Sequence, residues 1–292
     1  MIRMTDDQPV AVVTGASAGI GKATATQLVA LGWRVIGTGR DPQRSAAAEA
    51  EVRAACAAGG QFDMLRGDFS LMADVARVAS EIKAHTARLD VLINNAGGVR
   101  DGLYVTAEGT EATFAANHLA PFLLTRELMP LLQATAARAS AGTVRMIAVS
   151  SSAHRMSQGP NWDDLQSLKT FMAAQAYGQA KLYNILFTRE LARRAGPDGV
   201  ITQAMHPGVV ASNFASHGDQ AMQSHMAAAP TVPPSEPAET LVWLATAPEG
   251  GRDAGRYFHC KAEEIPSEAA RDAASAERLW TASAELLGTL GY

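Results

Sequence analysis

The stretch Val10-Ala11-Val12-Val13-Thr14-Gly15-Ala16-Ser17-Ala18-Gly19-Ile20-Gly21 decides the fold. An apolar, β-prone run enters a turn punctuated by Gly15, Gly19 and Gly21, and a helical pattern follows over residues 20–31. Glycine permits a tight turn and close backbone approach. A helix that begins there offers free N–H groups and the positive end of its dipole to a phosphate. Strand, glycine turn and helix in this order form the context of a dinucleotide cradle. A unit that uses its glycines for turning alone is the alternative at this point.

Outward from the cradle, short β-rich runs alternate with longer helical patterns. They are residues 10–14 then 20–31, 34–38 then 44–57, 61–66 then 73–84, and 91–94 then 110–133. The alternation continues with a strand at 143–150, a helix at about 174–194, a strand at 200–205, a helix near 238–247 and a last strand near 255–258. This order predicts an α/β, Rossmann-type doubly wound parallel sheet of about seven strands, with right-handed crossovers and helices on both faces. A chain of 292 residues fits one such domain, 1–292, with an N-terminal extension at 1–9. The connections at 152–171 and 209–237 are too long for simple turns, and the second, rich in Pro with Met222 and Met226, reads as an adaptable apolar substrate lid. Leu279, Ser283, Leu286 and Leu290 share a helical face, so the tail at 267–292 is expected to pack on the body.

Composition narrows the function. Hydrophobic residues make up 47% and charged residues 18%, enough for a large core. A net charge of -4 without a basic run argues against nucleic acid as a partner. Cys56 and Cys260 form neither a metal-ligand pair nor a CxxC, which fits a reducing, cytoplasmic setting. The first nine residues lack an apolar h-region, and Arg126 and Glu127 interrupt the most apolar later stretch, so neither export nor a membrane anchor is expected. His118, His154, His206 and His217 have no metal-binding spacing, and no metal is assigned.

Two further segments carry chemistry. Tyr177 and Lys181, in Tyr177-Gly178-Gln179-Ala180-Lys181, are four apart on an expected helix and share a face. A phenol ordinarily ionises near 10, and work near neutrality calls for lowering that by up to about three units, a change that a nearby ammonium favours. At the end of the second strand, Gly39 and Arg40 stand where an acid would accept the 2′-OH of NAD. Glycine leaves room and guanidinium pairs with phosphate, which points to NADP(H); a solvent-facing Arg40 is the alternative.

The Thr14-Gly15…Gly19-Ile20-Gly21 pattern, Asn94-Asn95-Ala96-Gly97 and the Tyr177/Lys181 pair together resemble the short-chain dehydrogenase/reductase family. The resemblance runs from about Val10 to the C-terminus. It implies a cofactor site of Gly15, Ser17, Gly19, Ile20, Gly21, Arg40, Asp68, Phe69, Asn94, Ala96, Gly97, Tyr177, Lys181, Pro207, Gly208, Val210 and Ser212. It also implies a catalytic set of Asn117, Ser151, Tyr177 and Lys181, with Ser152 as runner-up to Ser151 and Ser150 as a strand-end residue. Asn117 has a reason of its own: Pro121 lacks an N–H, so the carbonyl of residue 117 loses its helical partner and could hold a water leading to Lys181. A packing kink is the other reading of the same proline.

Residues 164–167, 186–192, 206–210 and 277–280 look like the retinol dehydrogenase branch and its WW-domain oxidoreductase and protochlorophyllide reductase-like relatives. The implied activity is NADPH-dependent reduction of a hydrophobic ketone or aldehyde, or the reverse oxidation of the alcohol, with Tyr177 as general acid or base. The alternatives are a catalytically silent NADP(H)-sensing regulator and a nucleotide-sugar epimerase or dehydratase. Family helices of this kind often form dimer faces, and a homodimer, a homotetramer and a monomer are all compatible with the sequence.

Overall fold

The computed structural model describes residues 8–57 and 59–292, so the extension expected at 1–9 lies almost wholly outside the described residues. The chain runs β1 (Val10–Val13), α1 (Gly19–Ala30), β2 (Arg34–Gly39), α2 (Pro42–Ala54), β3 (Gln61–Arg66), α3 (Met72–His85) and β4 (Val91–Asn94). It continues with α4 (Ala112–Phe114), α5 (Ala120–Ala136), β5 (Arg145–Val149), α6 (Ala173–Ala195), β6 (Ile201–Met205), α7 (Gln220–Ala228) and α8 (Ser235–Thr246). Strands β7 (Arg256–His259) and β8 (Ala262–Glu263) precede α9 (Glu268–Arg271) and α10 (Ala273–Thr289).

The strands form one sheet in the order β3-β2-β1-β4-β5-β6-β7-β8, parallel from β3 to β7. Strand alternation divides the core. Val12, Ile36, Leu92 and Met146 face α3, α5, α6 and α10, while Ala11, Val13, Val35, Ile93 and Ile147 face α1 and α8. The order reverses between β1 and β4, the switch point at which open α/β sheets bind ligands beyond the strands' carboxyl ends.

Three features depart from the expectations or add to them. β8 pairs antiparallel with β7 through a two-residue turn in which Cys260 (φ 47°) and Lys261 (φ 63°) are both left-handed. Such turns are signalled by Asn-Gly or Asp-Gly, and Cys-Lys gives no such signal. The helix expected over 110–133 is interrupted by a π turn at Ala115–Leu119, where the Ala120 N–H reaches the Ala115 carbonyl. Pro121 cannot continue the regular ladder, and widening it by one residue accommodates the missing donor. Finally, the connection at 209–237 contains a 3-10 turn (Asn213–His217) and α7. Its ends are tied together by the Ala211 N–H to the Val232 carbonyl (2.9 Å) and the Val232 N–H to the Val209 carbonyl (2.9 Å).

The tail packs as α9 and α10. Leu279, Ser283 and Leu287 are buried, and Trp280 lies 4.8 Å from the Phe122 ring and 5.9 Å from that of Phe187. Among the described residues, no helix is long and apolar enough to cross a membrane.

Candidate active site

A cavity of about 840 Å³ opens beyond the carboxyl ends of the strands, lined by the loops that follow β1 to β6. Its first wall is the glycine turn. Gly15 has φ +70°, and a Cβ there would stand 3.0 Å from Ala96 Cα. A Cβ on Gly21 would run into the Gly15 carbonyl. Ala18 stands at the N-cap of α1 and offers no side-chain cap, the first turn holds no acid, and Ala18, Gly19 and Ile20 face the cavity. Its leading N–H groups are therefore available to an anion, as a dinucleotide diphosphate requires.

At one end of the cavity stand Ser17, Gly39, Arg40, Asp68 and Phe69. Arg40 is 43% exposed, with Nη1 only 3.8 Å from Asp68 Oδ2, a loose pairing that leaves its guanidinium donors available. Asp68 Oδ1 accepts from the Ser70 N–H (3.0 Å) and hydroxyl (2.8 Å). Arg44, not among the expected residues, lines the same end because Asp41 caps α2 by accepting its N–H (2.8 Å), placing it in the first turn. Its signal was the four-residue spacing from Arg40 once Asp-Pro is read as a helix start.

The other end holds Tyr177 and Lys181, both buried on α6. Lys181 Nζ lies 5.4 Å from the Tyr177 ring centroid and donates to the Val149 carbonyl (3.0 Å). The consecutive serines diverge at the end of β5. Ser150 donates to the Lys181 carbonyl (2.7 Å), Ser151 hydrogen-bonds the Tyr177 phenol, and Ser152 is exposed. Ser151 Oγ also accepts the Ala153 N–H (3.1 Å), which fixes the hydroxyl against its own loop.

The electrostatics depart from the expectation that Lys181 lowers the Tyr177 pKa. Burial pushes the phenol up, and the Ser151 hydrogen bond opposes that rise. Burial also pushes Lys181 down, to about 8. Desolvation disfavours the charged form of each group.

Three expected residues do not line the cavity. Asn94 points to α5, where its amide donates to Thr125 Oγ1 (2.9 Å), because strand alternation gives the cavity side to Asn95. Gly21 packs behind the glycine turn. Asn117 is buried in the π turn; its Nδ2 donates to the Gly98 and Thr113 carbonyls (2.8 Å each), and its Oδ1 accepts the Gly98 N–H (3.2 Å). A Cβ on Gly97 would meet Asn117 Oδ1 and stand 3.5 Å from Lys181 Nζ, so Asn117 and Lys181 flank that glycine. Ala96, Gly97, Pro207, Gly208, Val210 and Ser212 all face the cavity. Val99, Met156 and Phe214, which spacing alone did not single out, join Met222 of the expected lid in an apolar wall near Tyr177. Among the described residues, no group of three His, Cys, Asp or Glu could hold a metal ion.

Comparison with known proteins places this arrangement. Residues 9–223 match the family model for short chain dehydrogenases. Retinol dehydrogenase 14 of Mus musculus is 36% identical over 298 residues, spanning 96% of this chain and 86% of that protein. A Streptomyces sp. (strain C5) protein assigned as the daunorubicin C-13 ketoreductase DnrU is 37% identical over 279 residues, spanning 95% and 92%. The Pseudomonas aeruginosa RhlG/NADP active-site complex superposes with a TM-score of 0.68 at 25% identity, covering 90% of this chain and 96% of that one. The family model covers most of the chain and the relatives align along nearly its whole length, so the chain belongs to the short-chain dehydrogenase/reductase family of oxidoreductases, in its retinol dehydrogenase branch.

Proposed function

We propose that this chain reduces a bulky, apolar ketone or aldehyde with NADPH and catalyses the reverse oxidation of the alcohol. The observation that carries the reading is one cavity with a phosphate cradle and two arginines at one end and a buried Tyr177 beside the half-buried Ser151, under an apolar wall, at the other. The glycine turn and the N-terminus of α1 hold the diphosphate, and Arg40 with Arg44 meets the 2′-phosphate. When bound, the cofactor supplies the hydride that reduces the carbonyl carbon.

The residues of the chain manage the oxygen and its proton. Ser151 holds the substrate oxygen, and Tyr177, kept protonated by burial, delivers the proton to it. Lys181, still an ammonium at neutral pH, anchors the cofactor ribose and stabilises the phenolate left behind. Asn117 fixes Gly98 and the loop after β4, which carries Val99 to the apolar wall. Val99, Met156, Phe214 and Met222 exclude water from the reacting end and favour a substrate without charge there. The relatives named for retinol and for a daunorubicin ketone, and the NADP held by RhlG, support this choice of substrate and cofactor.

The test is NADPH and NADH oxidation across aromatic, polycyclic and retinoid carbonyls. Ketone- or aldehyde-dependent consumption of NADPH in preference to NADH supports the reading, and no consumption with any member of the panel speaks against it. Arg40→Gln is expected to weaken NADPH binding by about 10- to 100-fold and leave NADH unchanged, since a charge-assisted contact to phosphate contributes about 1.5–3 kcal/mol.

A further inference from the structure

We propose that the segment from Tyr257 to Ser267 is a clamp that sets the reacting end of the cavity through two histidines, His154 holding Ser151 and His206 holding Pro207 and Gly208. The proposal deepens the reading above and rests on it for the roles of those loops.

His154 is fully buried. Its Nδ1 lies 2.7 Å from the Ser151 carbonyl oxygen, and its Nε2 lies 3.1 Å from the Ser267 N–H. A carbonyl only accepts and an amide N–H only donates, so the ring is neutral with its proton on Nδ1. It thereby ties the backbone of Ser151 to the residue that caps α9. Tyr257 packs edge-on against it at 5.2 Å, with the hydroxyl 3.4 Å from Nδ1.

His206 lies on the other loop in the opposite tautomer. Its Nδ1 accepts the Gly208 N–H (3.4 Å), and its Nε2–H donates to Glu264 Oε2 (2.7 Å). Glu264 is in turn held by Arg155 (2.7 Å), the neighbour of His154. His259 stacks on His206 at 4.0 Å, and its Nδ1–H donates to the His206 carbonyl (3.2 Å), while Tyr257 stacks on the same ring at 5.5 Å. One short segment therefore reaches back to both loops that border the reacting end. The charged or titratable groups facing the two rings are Arg155, Tyr257, Glu264 and His259, and burial pushes both rings towards the neutral form these bonds require.

Neither histidine lines the cavity, so both are positioning residues. Their effect is to fix where the Ser151 hydroxyl meets Tyr177 and where the Gly208 backbone lies, and a displacement of about 1 Å at such groups costs roughly 10²-fold in rate.

Three variants of the full chain test the clamp. His154→Asn keeps a donor near the Nδ1 position and loses the Ser267 contact; His154→Gln keeps a polar group near Nε2 and loses the donor to Ser151. Both give up the ring's packing on Tyr257, and turnover per folded enzyme, with the folded fraction read by circular dichroism, separates lost stability from lost positioning. The clamp needs both bonds, so kcat per folded enzyme is expected to fall about 10- to 100-fold in each variant with KM for NADPH within about threefold. An unchanged kcat in either variant, or a fall accounted for by the unfolded fraction alone, overturns the role of His154. Glu264→Ala, at a side chain 38% exposed, tests the other half. Its affinity for NADPH, followed by fluorescence, is expected to fall about tenfold while that for adenosine 2′,5′-bisphosphate, which reaches the adenine end alone, is unchanged. Parallel changes, or none, overturn the clamp. The second readout needs no turnover. A wild type that reduces no carbonyl but gives this split refutes the reductase reading and leaves the His206 half of the clamp standing; active wild type without the split does the reverse. A chain that binds neither ligand overturns both.

Discussion

Ser150, Ser151 and Ser152 share one side chain and three fates, and the end of β5 decides between them. Ser150 is buried on α6 and Ser152 is exposed, which leaves Ser151 facing Tyr177. The candidate roles were legible because hydroxyl, phenol and ammonium fall at family spacings, but the electrostatics were not, since desolvation depends on what covers the groups. Lys181 shows the consequence. Its pKa is lowered to about 8, so its charge is present at neutral pH and lost as the pH rises through that value. Reductive turnover is expected to be level near neutrality and to decline above about pH 8, and a kcat profile still level at about pH 9.5 contradicts this role. Gly15 makes a separate residue-scale prediction. An alanine there needs a left-handed φ that costs roughly 1–2 kcal/mol and a Cβ crowding Ala96, so Gly15→Ala is expected to weaken NADPH binding by at least about tenfold, read by fluorescence titration.

At the scale of elements, α10 is held to the body by a contact that acid should break. His118, buried in the π turn, lies 2.8 Å through Nε2 from Ser283 Oγ, and burial lowers its pKa to about 3. Below the ordinary value near 6.5, the unfolded chain takes up a proton that the folded chain refuses. Stability is therefore lost as the pH falls from about 6.5 towards about 3, by about 2 kcal/mol between pH 7 and pH 5 from this group. Urea midpoints at the two values should show that loss in wild type and a correspondingly smaller one in His118→Leu; an identical pH dependence in both contradicts it. The amphipathic face of the tail helix was readable from Leu279, Ser283, Leu286 and Leu290, although Leu286 is only partly buried. The partner of Ser283 was not readable, because His118 comes from an element 165 positions away in sequence. Likewise Pro121 announced a disturbed ladder, yet whether it becomes a kink or a π turn depends on Asn117 reaching Gly98, a contact between elements.

Across the whole molecule, the parallel, doubly wound sheet followed from alternation and right-handed crossovers, and every parallel strand arose from a run the sequence marks. β8 escaped because its left-handed turn residues lack a local signature, and the shape of residues 209–237 escaped because the Val210–Val232 bridge joins positions far apart in the chain. The cavity that results depends on all of these parts at once: cradle from β1, arginines from β2 and α2, tyrosine and lysine from α6, apolar cover from the connection before α8. The claim that this assembly reduces carbonyls with NADPH is tested most directly by following NADPH absorbance with polycyclic and aromatic ketones in wild type and Tyr177→Phe side by side. Wild type is expected to consume NADPH in a ketone-dependent way, and the variant to lose about 10²- to 10⁴-fold in turnover while binding NADPH with unchanged affinity. Equal turnover in the two proteins would contradict the assignment of the proton to Tyr177 and, with it, the mechanism.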